Sequence, residues 1–286
     1  MSDDLSDFKL HIIGLGLMGG SLALAVREHV RYISADDLNP ATLQAALQQG
    51  VIDAIGGGEQ SDIVIVAIPA HRIVDYLQTL TVRSGALVID LGSTKGAICD
   101  ALDHLPPDVL AVGGHPMCGL AENGFSNAIP TLYHGARFVL CETARTTAHA
   151  RHLAEQVALA CGAVPLWMNR HQHDYLTAMT SHLPHLLNFA LMRLAVEVSE
   201  EDPRLFELAA GGFDGATRLA RTNAAMITGM FMTNADNLRT LTARLRQQLD
   251  DLEALFDNPN QLNEELRKIV EARRYYTKSY GERSLK

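Results

Sequence analysis

Residues 9–23 read Lys-Leu-His-Ile-Ile-Gly-Leu-Gly-Leu-Met-Gly-Gly-Ser-Leu-Ala. Gly14, Gly16 and Gly19 form a G-x-G-x-x-G array between a short apolar run, Leu10 to Ile13, and an Ala- and Leu-rich stretch, Ser21 to Glu28. A strand before the glycines and a helix after them turn a weak motif into a dinucleotide fingerprint. Gly14 allows the tight turn, Gly16 lets a pyrophosphate approach the backbone, and Gly19 lets the helix pack close to the strand. The helix N-terminus adds free N–H groups and the positive end of its dipole. Asp37 follows Gly19 by 18 residues, where an acid at the end of a second strand binds a ribose hydroxyl. No arginine follows it closely to receive a 2′-phosphate, and Asp36 adds negative charge, which favours NAD over NADP. The residues expected to hold the cofactor are Gly14, Gly16, Leu17, Met18, Gly19, Asp37, Ile68 and Pro69.

Alternating apolar runs and helical stretches supply the scaffold. Pro40 to Gly50 reads as a helix ended by glycine. Strands are expected at 62–68, 86–91, 109–114, 137–141 and 163–166, with a helix from Thr146 to Cys161. The turn from Pro69 to Arg72 faces the nicotinamide side, because ligands gather at the carboxyl ends of the strands. His71, within it, reads as a solvated loop histidine rather than a cofactor contact. Ser93, after the 86–91 strand, suits either a helix cap or a group orienting substrate beside the nicotinamide. From Asn169 onward only helical patterns occur. Leu238, Leu241, Leu245, Leu249, Leu252 and Phe256 make one apolar stripe, suited equally to a dimer interface or to one domain's core. After it, Pro259 restarts the chain for a charged helix. The architecture expected is an α/β Rossmann-type dinucleotide-binding domain, 1–168, followed by an all-α C-terminal dimerisation domain, 169–286.

Composition narrows the function classes. The 286 residues suffice for two cores, and 47% hydrophobic with 20% charged residues is a globular balance. A net charge of −9 without a Lys/Arg cluster argues against nucleic acid as a partner. Met1 to Asp7 is short, polar and acidic, unlike a signal peptide, and no apolar run approaches a membrane span. Four scattered cysteines without a C-x-x-C pair give no disulfide or metal signature, so a cytoplasmic protein is expected.

Several motifs together resemble the prephenate and arogenate dehydrogenases of tyrosine biosynthesis: Gly14-Leu-Gly-Leu-Met-Gly-Gly-Ser-Leu22, Asp90-Leu-Gly-Ser-Thr-Lys-Gly96, Gly113-Gly-His-Pro-Met-Cys-Gly119, Ser181-His-Leu-Pro-His-Leu-Leu187 and Gly211-Gly-Phe-Asp-Gly-Ala-Thr-Arg218. The resemblance runs through nearly the whole chain. It implies an NAD-dependent homodimer that oxidises and decarboxylates prephenate or arogenate. No chorismate mutase segment is expected ahead of the glycine loop, and little chain is expected after Leu255 for a regulatory domain. Residue by residue, the resemblance makes His115 the base or hydrogen-bond acceptor for the ring hydroxyl. Ser93 becomes its orienting partner, Ser181, His182 and His185 the pocket lining, and Arg218 the carboxylate ligand. The chemistry suits these types: a neutral imidazole takes a proton near neutral pH, and a guanidinium fork holds a carboxylate with two hydrogen bonds.

Other groups have plainer readings. His182 and His185 share a helix face at a metal-ligand spacing, but no third ligand accompanies them, so no metal is expected. His171 and His173 read as surface residues, Met226, Met230 and Met232 as packing, and Cys118 as a small packing residue. Leu120-Ala121 and Thr222-Asn-Ala-Ala-Met-Ile227 depart from the family pattern near the expected pocket. No acid lies between Arg218 and Asp236 to face an ammonium, which favours prephenate over arogenate. A 3-hydroxyacid dehydrogenase would need a lysine within 169–198, and none is present. A cyclic-imine reductase would share the glycine loop but not the Gly-Gly-His-Pro or Ser-His-x-Pro-His segments. A non-catalytic dinucleotide sensor would need no proton-transfer group.

Overall fold

The computed structural model describes residues 5–120 and 122–281. Of the sequence expectations, those on Met1 to Asp4 and on Ala121 lie outside the described residues. The chain packs as two units divided between Leu238 and Arg239.

The first unit is built on one eight-stranded sheet of order β3-β2-β1-β4-β5-β6-β7-β8. In chain order its strands are β1 (Lys9–Ile13), β2 (Tyr32–Asp36), β3 (Ala54–Ile55), β4 (Ile63–Val66), β5 (Leu87–Asp90), β6 (Leu110–Pro116), β7 (Arg137–Glu142) and β8 (Val164–Trp167). Neighbours from β3 to β6 run parallel, β7 is antiparallel to β6, and β8 is parallel to β7. The helices between them are α1 (Leu17–Val26), α2 (Pro40–Gln48), α3 (Ala70–Leu77), α4 (Gly96–Asp103) and α5 (Ala148–Ala160). The central strands are apolar throughout: Ile63 to Val66 and Leu87 to Ile89 are wholly buried, as parallel strands covered on both faces must be. Asn39 and Thr147 cap α2 and α5, accepting the N–H groups of Ala41 at 3.0 Å and Ala150 at 3.2 Å.

After β8 the chain is helical: α6 (Arg170–Thr177), a π-helical turn (Ala178–His182), α7 (Leu183–Glu201), α8 (Gly211–Thr217), α9 (Ala224–Thr233), α10 (Ala235–Glu253) and α11 (Pro259–Tyr280). The α/β sheet followed by helices is the architecture expected. Several boundaries differ. The first helix begins at Leu17, not Ser21: Gly19 and Gly20 are poor helix formers, but their small size lets α1 start directly off the glycine turn. The two-residue β3 is too short to leave a periodic pattern. β6 continues through His115 because pairing with β7 extends it, with His115 opposite Val139 and Pro116 opposite Phe138.

Within the second unit, Leu241 is buried, while Leu249 and Phe256 of the leucine stripe are exposed, as are Leu266, Ile269 and Tyr275 of α11. Among the described residues no helix is long and apolar enough to cross a membrane.

One ion pair is sealed inside the sheet. The Lys95 ammonium donates to the Asp90 carboxylate, and both side chains are fully buried. Lys95 Nζ also donates to the Gly114 carbonyl at 2.6 Å, and Asp90 accepts the N–H groups of Gly92 at 2.8 Å and Gly114 at 3.1 Å. A Cβ at Gly114 would lie 2.5 Å from the Asp90 carbonyl, so only glycine lets β6 approach this closely. Burial pushes the Asp90 carboxyl up, against the pull of Lys95 and the two N–H groups. Removing one partner strands the other charge, so Lys95→Met should cost about 3–5 kcal/mol, read as a lowered denaturant midpoint at unchanged slope.

Candidate active site

The glycine turn is fixed by its neighbours at two positions and open at the third. Gly14 has φ +92°, and a Cβ there would meet the Ala67 carbonyl at 2.7 Å and Ile68 Cγ2 at 3.0 Å. A Cβ at Gly19 would sit 1.9 Å from the Gly14 carbonyl, whereas one at Gly16 would meet nothing within 4 Å. That open space lies at the N-cap of α1, which has no side-chain cap, so its first N–H groups are free for an anion. Leu17 is buried and Met18 half-buried, the Met18 carbonyl accepting the Tyr133 hydroxyl at 2.7 Å. Asp37 is held beside the same turn, accepting the N–H groups of Leu15 at 2.7 Å and Asn39 at 2.8 Å. Ile68 and Pro69 close the turn after β4. These residues fit a dinucleotide: an anion site at a helix end, an uncommitted cradle, and an acid at the ribose distance in sequence.

At the far end of β6 three side chains form a line. His115 Nδ1 lies 2.8 Å from His173 Nε2, and His173 Nδ1 lies 2.8 Å from Asp174 Oδ1. The two rings meet edge to face at 5.1 Å. The Thr177 hydroxyl lies 3.3 Å from the same His173 Nε2. Asp174 also accepts the N–H groups of Lys95 at 2.7 Å and Gly96 at 2.8 Å, at the start of α4. Burial pushes its carboxyl up, but the hydrogen bonds from His173, Gly96 and Lys95 outweigh burial and hold it below the usual carboxylate range. Burial, then the neighbouring His173, Lys95 and His182, push His115 well below the ordinary histidine value. With Asp174 ionised, His173 donates from Nδ1; neutral rings then make His173 Nε2 the acceptor and His115 Nδ1 the donor. The lone pair of His115 is left on Nε2, the atom a base needs.

His173 was expected at the surface, and the structure corrects that: it is 1% exposed. Its polar neighbours Arg170, His171 and Gln172 hide the signal, and only the 58-residue separation from His115 is bridged by folding. His171 is exposed. Ser93 is half-buried beyond Gly92, and among the described residues no hydrogen bond joins it to His115.

The Ser-His-x-Pro-His segment occupies the π-turn and the first turn of α7. Pro184 has no N–H for the ladder, and the wider turn lies just before it, as such turns often do at functional sites. His182 is fully buried; Ser181 and His185 are half-buried, with His185 Nδ1 2.9 Å from the Ser181 carbonyl. Asn188, which the sequence reading missed, donates to the Pro184 carbonyl at 2.9 Å and accepts the Leu219 N–H at 2.8 Å. It therefore fixes the turn carrying Arg218, whose side chain is exposed and has no carboxylate partner among the described residues. Asn223 in the departing segment caps α9, accepting the N–H groups of Ala225 at 2.9 Å and Met226 at 3.2 Å. Met230 is buried, but Met226 and Met232 are exposed, contrary to a packing role for all three. His71 lies exposed in the first turn of α3, where Gly229 of α9 makes room for it: a Cβ there would be 2.5 Å from His71 Nδ1. Burial pushes the Cys118 thiol up to about 12, which fits a packing residue and not a nucleophile. Among the described residues no group of three potential ligands is placed to hold a metal.

The nucleotide-binding domain of prephenate dehydrogenase matches residues 22–166, and the dimerization domain of prephenate dehydrogenase matches residues 169–272. The chain belongs to the prephenate dehydrogenase family. A prephenate dehydrogenase of Lactococcus lactis is 29% identical, covering 85% of this chain and 70% of that protein. One of Bacillus subtilis is 31% identical, covering 79% of this chain and 64% of that protein. The crystal structure of prephenate dehydrogenase from A. aeolicus, in complex with hydroxyphenyl propionate and NAD+, superposes with a TM-score of 0.87 at 29% identity, covering 95% of this chain and 99% of that one.

Two predictions separate packing from chemistry. Gly16→Ala should fold normally and weaken NAD binding about tenfold or more, whereas Gly19→Ala should lower the melting temperature itself; calorimetry and NAD titration distinguish them. Asp174→Asn can donate where the carboxylate accepts, reversing the hydrogen bonds along the line. Turnover should fall by about 10²-fold or more, with secondary structure retained by circular dichroism.

Proposed function

We propose that this protein is an NAD-dependent prephenate dehydrogenase, converting prephenate to 4-hydroxyphenylpyruvate and CO2 in L-tyrosine biosynthesis. The observation that carries the reading is the His115–His173–Asp174 line at the end of β6, ending in a free imidazole nitrogen. A dinucleotide held by the glycine turn would supply the hydride acceptor for ring C4. His115 Nε2 takes the proton of the C4 hydroxyl as that carbon becomes a carbonyl. Asp174, through His173, stabilises the imidazolium that results. Loss of the ring carboxylate as CO2 then aromatises the ring. Ser93 sits at the end of β5 to orient the hydroxyl. Arg218 holds a substrate carboxylate, and Ser181, His182 and His185 line the pocket between it and the base. Gly14, Gly16, Leu17, Met18, Gly19, Asp37, Ile68 and Pro69 hold the dinucleotide.

Prephenate is favoured over arogenate because no acid lies between Arg218 and Asp236 to receive an ammonium. A dinucleotide sensor would have no use for a histidine line ending in a base. We place the functional division at 168/169; the matched ranges, 22–166 and 169–272, support it. A homodimer through the helical part accords with the dimerization domain matched there and with the exposed apolar residues of α10 and α11. The proposed location is the cytoplasm, and the charge of −9 argues against nucleic acid as a partner.

Purified protein with NAD or NADP, and with prephenate or L-arogenate, should form reduced cofactor from prephenate and NAD. Turnover only with arogenate would move the substrate, and no turnover in any pairing would overturn the reading. Arg218→Ala should raise KM for substrate about 10- to 100-fold, the loss of a charged hydrogen bond; an unchanged KM removes Arg218 from the pocket.

A further inference from the structure

His182 is fully buried, and its Nε2 has no hydrogen-bond partner among the described residues. Its Nδ1 lies 3.2 Å from Asn234 Nδ2. Which ring nitrogen of His182 carries the hydrogen is decided at Asn234. The Asn234 amide is oriented by the Asp174 carbonyl, 2.7 Å from Nδ2. A carbonyl can only accept, so the group facing it is the NH2. Asn237 Nδ2, 2.8 Å from Asn234 Oδ1, agrees with that orientation. One hydrogen of the NH2 serves Asp174, and the other points to His182 Nδ1. Nδ1 is therefore an acceptor, and a neutral ring carries its hydrogen on Nε2.

The ring is neutral. Burial lowers its pKa to about 4; Asp174 pulls the other way, and His185 and His173 lower it further. His182 also acts electrostatically on His115, so it belongs to the same cluster. A buried donor without an acceptor costs about 1–3 kcal/mol, and folded proteins keep few of them. The first unit retains one on a residue that acts electrostatically on the proposed base.

We infer that Asn234 is a positioning residue that holds His182 as its neutral Nε2–H tautomer, and that this N–H binds an oxygen of the substrate. The second half rests on the proposed dehydrogenase reading; the first does not. A neutral donor orients an oxygen without the ground-state attraction a cation would exert on a carboxylate that must leave as CO2.

The test uses the full-length protein labelled with 15N-histidine. The His182 resonances should show Nε2–H and a bare Nδ1 throughout the neutral range, and Nε2–H should shift on adding hydroxyphenyl propionate with NAD. In Asn234→Asp the carboxylate accepts from Nδ1, so the ring should switch to Nδ1–H and titrate at higher pH, under the same Asp174, His173, His185 and His115 neighbours. KM for the substrate that turns over should rise about tenfold or more in Asn234→Asp and His182→Phe. It should return to within about threefold in His182→Gln, whose amide places an N–H near Nε2. An Nδ1–H or imidazolium ring in the wild type overturns the positioning role. An Nε2–H that exchanges freely with water and ignores bound ligand, or equal KM values for the Phe and Gln variants, overturns the substrate contact. Absence of all turnover overturns the proposed function and with it the substrate contact, while the tautomer measurement still decides the role of Asn234.

Discussion

A single carboxylate, that of Asp174, holds the site together. It accepts the first N–H groups of α4, where the helix dipole favours a negative charge. It also accepts from His173, and its main-chain carbonyl accepts from Asn234. Two oxygens of a side chain and one of the backbone thus tie α6 to the start of α4 and to Asn234, and the histidine line to its anchor. Were Asp174 merely a helix cap, any acceptor would serve. Because it also sets the direction of hydrogen bonding through two imidazoles, its charge matters as well as its shape. Its depressed pKa comes from the same bonds that hold it in place, so structural and chemical roles cannot be separated there.

The base itself is placed by the sheet. β6 is parallel to β5 on one side and antiparallel to β7 on the other. A parallel strand delivers ligand-binding residues at its carboxyl end; antiparallel pairing keeps that end extended instead of letting it dissolve into a loop. His115 consequently sits within a strand, opposite Val139. The buried Lys95–Asp90 pair holds β5 and β6 together just below it. Such a pair adds little stability compared with apolar packing. Its geometry, an ammonium and a carboxylate both bonded to the Gly114 backbone, specifies where the last residues of β6 lie.

Much of this was legible in the residues. The glycine array announced its strand, turn and helix because each glycine answers a steric demand, and the demands at Gly14 and Gly19 are visible in the packing. Asp37 was legible from its spacing alone. What could not be read was burial created by distant partners. Arg170-His-Gln-His-Asp has no apolar face, so His173 looked solvated; it is buried because β6, 58 residues away, covers it. Asn188 and Asn234 were equally silent, since an amide's importance depends on what it faces. The exposed Met226 and Met232 err in the other direction, as apolar residues that the described fold does not cover.

The π-helical turn has a consequence for how the site can change. Each added residue advances a helix by about 100°, and a π-turn absorbs one residue without lengthening the ladder. Ahead of it, His173 and Asp174 are registered to the base; behind it, Asn188 is registered to the turn bearing Arg218. The turn is a phase shift between two dials on one shaft. Deleting one residue from 178–180 would leave both dials intact, yet rotate one against the other. Length here is as tightly constrained as identity, and variation in this family member should be tolerated as substitution long before it is tolerated as insertion or deletion.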